Sequence, residues 1–139
     1  MDLTSEVSEK LPRVLVVEDC EDNQFLIGLH LQTNNISFAC ANNGQEAVDR
    51  LRNEHFDLVL MDMQMPQMNG DVAVRILREQ GFKKPVLALT GNVSPAEREF
   101  CLKAGFDEHV SKPIDFQRLM QIVKTHLLSG PSATVHPIR

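Results

Sequence analysis

The chain has 139 residues, 42% of them hydrophobic, which suits one globular domain with a substantial core and leaves no room for a second. A formal charge of -5 and no Lys/Arg cluster argue against a nucleic-acid-binding face, and no apolar stretch reaches the roughly 20 residues of a membrane span. Cys20, Cys40 and Cys101 are odd in number and lack CxxC spacing, so reduced thiols in a soluble, cytoplasmic protein are expected.

Taken in chain order, apolar runs alternate with helix-period segments. Residues 14–17 read as a strand closed by Glu18 and Asp19, followed by a helix over 25–31, a strand over 36–41 and a helix over 47–51. The apolar run 58–61 is closed by Asp62. A helix over 71–79 is expected to carry Val72, Ala73, Ile76 and Leu77 on one face, and the strand 86–89 ends at Thr90. Ser94, Pro95 and Glu97 form a capping box with proline at the first helical position, opening a helix over 95–104 that turns Phe100, Cys101 and Ala104 inward. A short strand at 109–111 runs into Lys112. The final helix, 115–128, places Phe116, Leu119, Met120, Val123 and Leu127 on one stripe, while Gly81 and Gly105 fall where helix ends are expected.

Strands buried on both faces read as unbroken apolar runs, and parallel neighbours need crossover helices. The pattern predicts a doubly wound, three-layer α/β/α domain over residues 12–128. Segments 1–11 and 129–139, the latter with Gly130, Pro131 and Pro137, are expected to be flexible ends. In such a sheet ligands bind at the carboxyl ends of the strands, so Glu18, Asp19, Asp62, Thr90 and Lys112 should converge on one site. Carboxylates gathered there repel by about 4 kcal/mol per close pair at an effective dielectric of about 20, so the cluster calls for a cation or serves chemistry.

Four ordered motifs carry a resemblance: Val16-Val17-Glu18-Asp19, the segment from Met61 through Asp62, Gln64, Pro66 and Asn69 to Gly70, Ala88-Leu89-Thr90-Gly91-Asn92, and Ser111-Lys112-Pro113-Ile114. Together they resemble the receiver domain of two-component response regulators, over nearly the whole expected folded portion. The resemblance implies a flavodoxin-like fold with a five-stranded parallel sheet in the order 2-1-3-4-5. It implies that Asp62 is the phosphoacceptor, taking a phosphoryl group from a phosphohistidine on a histidine kinase or histidine phosphotransfer protein. Magnesium, which manganese could replace, would be held by Asp19, Asp62, the backbone carbonyl of Gln64 and, through a water, Glu18. Lys112 would pair with one phosphoryl oxygen and the Thr90 hydroxyl with another. Gly91 would leave room for the group, and Gln64 and Asn92 would tune its lifetime. The Lys112-Pro113 bond is expected to be cis and to aim the lysine inward, and Pro66 and Gly70 to shape the loop after Asp62.

Signalling would follow as Thr90 moves toward the phosphate and the side chain at the switch position, His109 here, turns inward, changing the face made by the fourth helix, fifth strand and fifth helix. Tyrosine or phenylalanine is usual in the family at that position. An imidazole titrates near neutrality, so its inward state would depend on pH. The segments around Gln64 and Thr90 look like receivers of hybrid histidine kinases, and a monomer is expected before phosphorylation. The domain would be a phosphoacceptor, with self-catalysed phosphotransfer and autodephosphorylation as its only enzymatic activity.

Two other functions compete with this one. A receiver-like protein-binding module regulated without phosphorylation would have lost the acceptor, an acidic partner or the lysine, and all are present. A flavodoxin or nucleotide-binding domain would carry a glycine-rich or hydroxyl-rich loop after the first strand, where Glu18 and Asp19 stand instead. Cys20, His30, His55, His126, His136 and the methionines near Asp62 are assigned no chemistry.

Overall fold

A computed structural model describes residues 11–65, 68–91 and 94–134, with side chains of the last helix as far as Leu128. Five strands, β1 (Arg13–Val17), β2 (Ser37–Ala41), β3 (Leu58–Asp62), β4 (Val86–Thr90) and β5 (Glu108–Ser111), alternate with five helices. The helices are α1 (Glu21–Thr33), α2 (Gly44–Asn53), α3 (Gly70–Glu79), α4 (Pro95–Ala104) and α5 (Phe116–Thr134). All pairings are parallel and the order is β2-β1-β3-β4-β5. This is the doubly wound arrangement expected from the alternation.

Period-two geometry explains why the central strands are apolar throughout. Leu15 and Val17, Val59 and Met61, and Val86 and Ala88 enter one core with Ala47, Val48, Ala73, Val74, Leu77, Cys101 and Ala104, beneath α2, α3 and α4. Val14 and Val16, Leu58 and Leu60, and Leu87 and Leu89 enter the other, with Ile27, Leu31, Leu119, Met120 and Val123 of α1 and α5. A polar residue at any of these positions would lie inside one layer or the other. The runs end only where the strands emerge at the carboxyl edge.

Three helices end alike. The amides of Ile36, Phe82 and Phe106 bond back to the carbonyls of Leu31, Leu77 and Cys101, each after a residue at positive φ: Asn35 (61°), Gly81 (94°) and Gly105 (126°). Asn35 does in α1 what glycine does in the other two, since its short polar side chain tolerates the left-handed region.

Two inward-facing expectations need correction. On α3 the buried positions are Gly70, Ala73, Val74 and Leu77, and Val72 is exposed. The helix starts one residue earlier than its apolar pattern suggests, so the three- and four-residue steps count from Gly70 and carry Val72 to the outer side. On α4 Cys101 and Ala104 are buried but Phe100 faces solvent, because the inner stripe there is made of small side chains. The backbone of α5 continues through positions 130 and 131 to Thr134, past the expected stop at Leu128.

Candidate functional site

Strand register builds the site. Val17 pairs with Met61, so Glu18 leaves β1 beside Asp62, the last residue of β3. Asp62 pairs with Leu89, which puts Thr90 one residue beyond, and Thr90 pairs with Ser111, which puts Lys112 one residue beyond that. The chain runs from β1 out to edge strand β2 and returns to β3 on the other side, so the crevice opens between β1 and β3, where these side chains stand.

Asp62 is buried, and both its oxygens are engaged. Nζ of Lys112 lies 3.0 Å from Oδ2, and the amide of Gln64 donates to Oδ1 at 3.1 Å. Lys112 is itself anchored: its amide donates to the Thr90 carbonyl at 2.8 Å, and the bond to Pro113 is cis. Thr90 is buried, Gln64 is exposed, and a Cβ added at Gly91 would meet nothing within 4 Å. Asn92 and Pro66 lie outside the described residues.

Glu18 is only 2% exposed, an unusual position for a carboxylate. The Cys20 amide donates to its Oε2 at 3.1 Å, while Oε1 is buried with no hydrogen-bond partner among the described residues. Burial, and next to it the charge of Asp62, push the Glu18 carboxyl above its ordinary value, against the opposing pull of the Cys20 amide, Asn23 and Lys112. One oxygen each from Glu18, Asp19 and Asp62 lie within 4.8 Å of one another, with Asp19 on the exposed side. When all are ionised, three carboxylates against one ammonium leave an excess that a divalent cation matches. The orphaned oxygen and the all-oxygen donor set suit a hard ion such as magnesium.

One support, Gln24, was not legible in the sequence. The side chain of Gln24 donates to the Glu18 carbonyl and to Oδ1 of Asn42, tying the first turns of α1 to the loop after β2. Gly70 is needed by close approach: a Cβ there would lie 2.6 Å from the Asp62 carbonyl oxygen and 3.1 Å from Cα of Met63. The Gly70 amide donates to the Met63 carbonyl at 3.0 Å, so the start of α3 sits directly against the acceptor's own backbone. His109 is half-buried on β5, lining a groove between α4 and α5 with Leu102, Arg98 and Arg118. The remaining histidines play structural parts: His30 stacks on Phe116, His55 meets Asp57 and His126 meets Glu108 at 2.7 Å. His136 lies outside the described residues.

Comparison with known proteins identifies the family. A family model for the response regulator receiver domain matches residues 14–124. Sensor histidine kinase GacS of Pseudomonas protegens is 34% identical over 122 residues, which are 84% of this chain and 13% of that protein; the chain spans only a small part of such relatives. The receiver domain of sensor histidine kinase PA1611 from Pseudomonas aeruginosa, solved with magnesium coordinated in its active site cleft, is 30% identical with a TM-score of 0.79, covering 86% of this chain and 99% of that one. The receiver domain of the Saccharomyces cerevisiae regulator Ssk1, crystallised with the histidine phosphotransfer protein Ypd1, is 27% identical with a TM-score of 0.80, covering 86% and 90%. Among the described residues no helix is long and apolar enough to cross a membrane. The register that gathers Glu18, Asp19, Asp62, Thr90 and Lys112 at one edge is thus found in a chain that belongs to the response regulator receiver domains, the phosphoacceptor signalling domains of two-component systems.

Proposed function

We propose that Asp62 accepts the phosphoryl group, on the strength of one observation: a buried carboxylate held between the Lys112 ammonium and the Gln64 amide, beside two further acidic groups. A carboxylate oxygen of Asp62 attacks the phosphorus of a phosphohistidine. The phosphorus–nitrogen bond breaks, its electron pair leaves with the imidazole, and an acyl phosphate forms. Asp19, Asp62, the Gln64 carbonyl and, through a water, Glu18 would hold magnesium, or manganese in its place, and the ion would neutralise charge on the transferring group when bound. Lys112 pairs with one phosphoryl oxygen as a point charge, and the Thr90 hydroxyl hydrogen-bonds another. Gly91 leaves the approach open, and Gln64 and Asn92 control the access of water that later attacks the phosphorus to release phosphate and restore the carboxylate. Thr90 and His109 pass the change to the α4, β5 and α5 face, in a protein that is monomeric before phosphorylation and cytoplasmic.

The phosphodonor is a histidine kinase or a histidine phosphotransfer protein, in keeping with relatives that are sensor kinases and with the Ssk1 complex. A donor reaching Asp62 rests on α1, the helix that begins two residues after Asp19 and exposes Phe25, Leu26 and Leu29. Transfer of labelled phosphate from a phosphorylated histidine phosphotransfer protein to the native chain, and none to Asp62→Asn, is the expected result. Equal labelling of both would overturn the assignment.

A further inference from the structure

Gln24 stands near the start of α1, half-buried, and its side-chain amide donates twice: to the Glu18 carbonyl and to Oδ1 of Asn42, the latter at 2.9 Å. Two acceptors facing one nitrogen fix which end of the amide points inward, because the opposite orientation would set oxygen against oxygen. Asn42 is held in turn. Its amide donates to Oε1 of Glu46 at 2.9 Å, and the Glu46 amide donates to the Asn43 side chain at 2.9 Å. Through Gln24 the Glu18 carbonyl is therefore tied to the capped start of α2 as well as to α1.

That carbonyl belongs to the peptide unit leading into Asp19. A peptide unit is planar, so a bond that fixes the carbonyl direction also fixes where Cα of Asp19 lies. Glu18 is held at two further points: its amide donates to the Ala41 carbonyl at 3.0 Å, and its Oε2 accepts from the Cys20 amide at 3.1 Å. Asp19 has no such help. It is exposed, and its carboxylate has no hydrogen-bond or ion-pair partner among the described residues. One of its oxygens nevertheless lies within 4.8 Å of oxygens from Glu18 and Asp62, so the backbone must aim it there. We propose that Gln24 is a positioning residue of the acidic cluster: through the Glu18 carbonyl it sets the peptide unit before Asp19 and preorganises the Asp19 carboxylate for a divalent cation. The inference rests on the magnesium site of the proposed function. Without this bond the Asp19 peptide unit is free to turn away from two carboxylates that repel it, and cation binding must first bring it back.

The test titrates the full chain with magnesium by calorimetry, as the native protein and as Gln24→Met, Asn42→Ala and Asn34→Ala. Methionine keeps the length of the side chain and removes the donor. Asn34→Ala loses a bond to the His30 carbonyl at 2.8 Å, at the far end of the same helix, and so controls for lost stability of α1. Gln24→Met is expected to bind magnesium about tenfold more weakly, Asn42→Ala to fall between it and the native chain, and Asn34→Ala to bind as the native chain does. In uptake from acetyl phosphate, Gln24→Met should need about tenfold more magnesium to reach half its maximal rate, while that maximal rate falls far less. Loss of folded protein alone would lower the maximal rate and leave the half-saturating concentration in place. Native affinity in Gln24→Met, equal weakening in Asn34→Ala, or a lowered maximal rate at an unchanged half-saturating concentration would each overturn the proposal. Binding weakened by Asp19→Asn but indifferent to Gln24→Met would overturn the role of Gln24 alone, whereas no binding to the native chain would overturn the magnesium site and this role with it.

Discussion

The ammonium of Lys112 and the carboxylate of Asp62 meet at 3.0 Å across the sheet's carboxyl edge, the lysine carried from the end of β5 and the aspartate from the end of β3, with β4 between them. The pair holds one charge of a crowded acidic cluster in check before phosphate arrives. Its cation is then in position for the incoming group.

Replacing Lys112 with methionine removes the only ammonium in contact with Asp62 among the described residues. Because Lys112 is about one-third exposed, solvent screens part of the effect, and the metal-free protein is expected to lose about 1 to 2 kcal/mol, a fall of a few degrees in Tm. Phosphoryl uptake from acetyl phosphate should slow about a hundredfold, as when one preorganised donor is deleted from a charged transition state. Calorimetry and timed intact-mass spectra check the two effects separately.

Glu18→Gln is expected to act in the opposite direction on stability. The carboxyl of Glu18 is raised from its ordinary 4.5, so folding favours its protonated form: the stabilising contribution is complete below that value and is lost as pH rises through the folded value. At neutral pH the ionised group destabilises the metal-free protein, and the glutamine variant should melt higher. Below about pH 4 the two should coincide. Magnesium should raise the Tm of the native chain more than that of the variant, since the orphaned Oε1 is what the variant loses as an anion.

Gly70→Ala forces a Cβ to 2.6 Å from the Asp62 carbonyl oxygen, a backbone atom that cannot swing aside. A loss of about 1 to 3 kcal/mol is expected, with slower phosphoryl uptake as the end of β3 shifts. Gly91→Ala meets nothing within 4 Å and should leave the Tm unchanged, which makes it the matched control in thermal unfolding.

Phe25→Ser removes the most exposed of the three apolar side chains on α1, 68% exposed, without touching the core. Transfer from a histidine phosphotransfer protein should slow about tenfold or more, while uptake from acetyl phosphate stays at the native rate. A parallel fall in both would show that α1 matters to the acceptor's geometry and not to the donor.

The strand ends were legible because burial on both faces demands an unbroken apolar run, and a charge that stops such a run stands out. Helix starts were less so: α1 begins at Glu21 and α2 at Gly44, where first turns are polar and carry no apolar period. The α2 start is made instead by Asn43, whose side chain accepts from the Glu46 amide. The exposure of Val72 and Phe100 follows from where their helices begin and from small inner residues, neither visible in composition.

The most direct measurement is the intact mass of the native chain and of Asp62→Asn after incubation with acetyl phosphate, with magnesium and with a chelator. The mechanism predicts one added phosphoryl group on the native chain, only when magnesium is available, and none on the variant. An equal gain on Asp62→Asn, a gain indifferent to the chelator, or no gain on the native chain would contradict it.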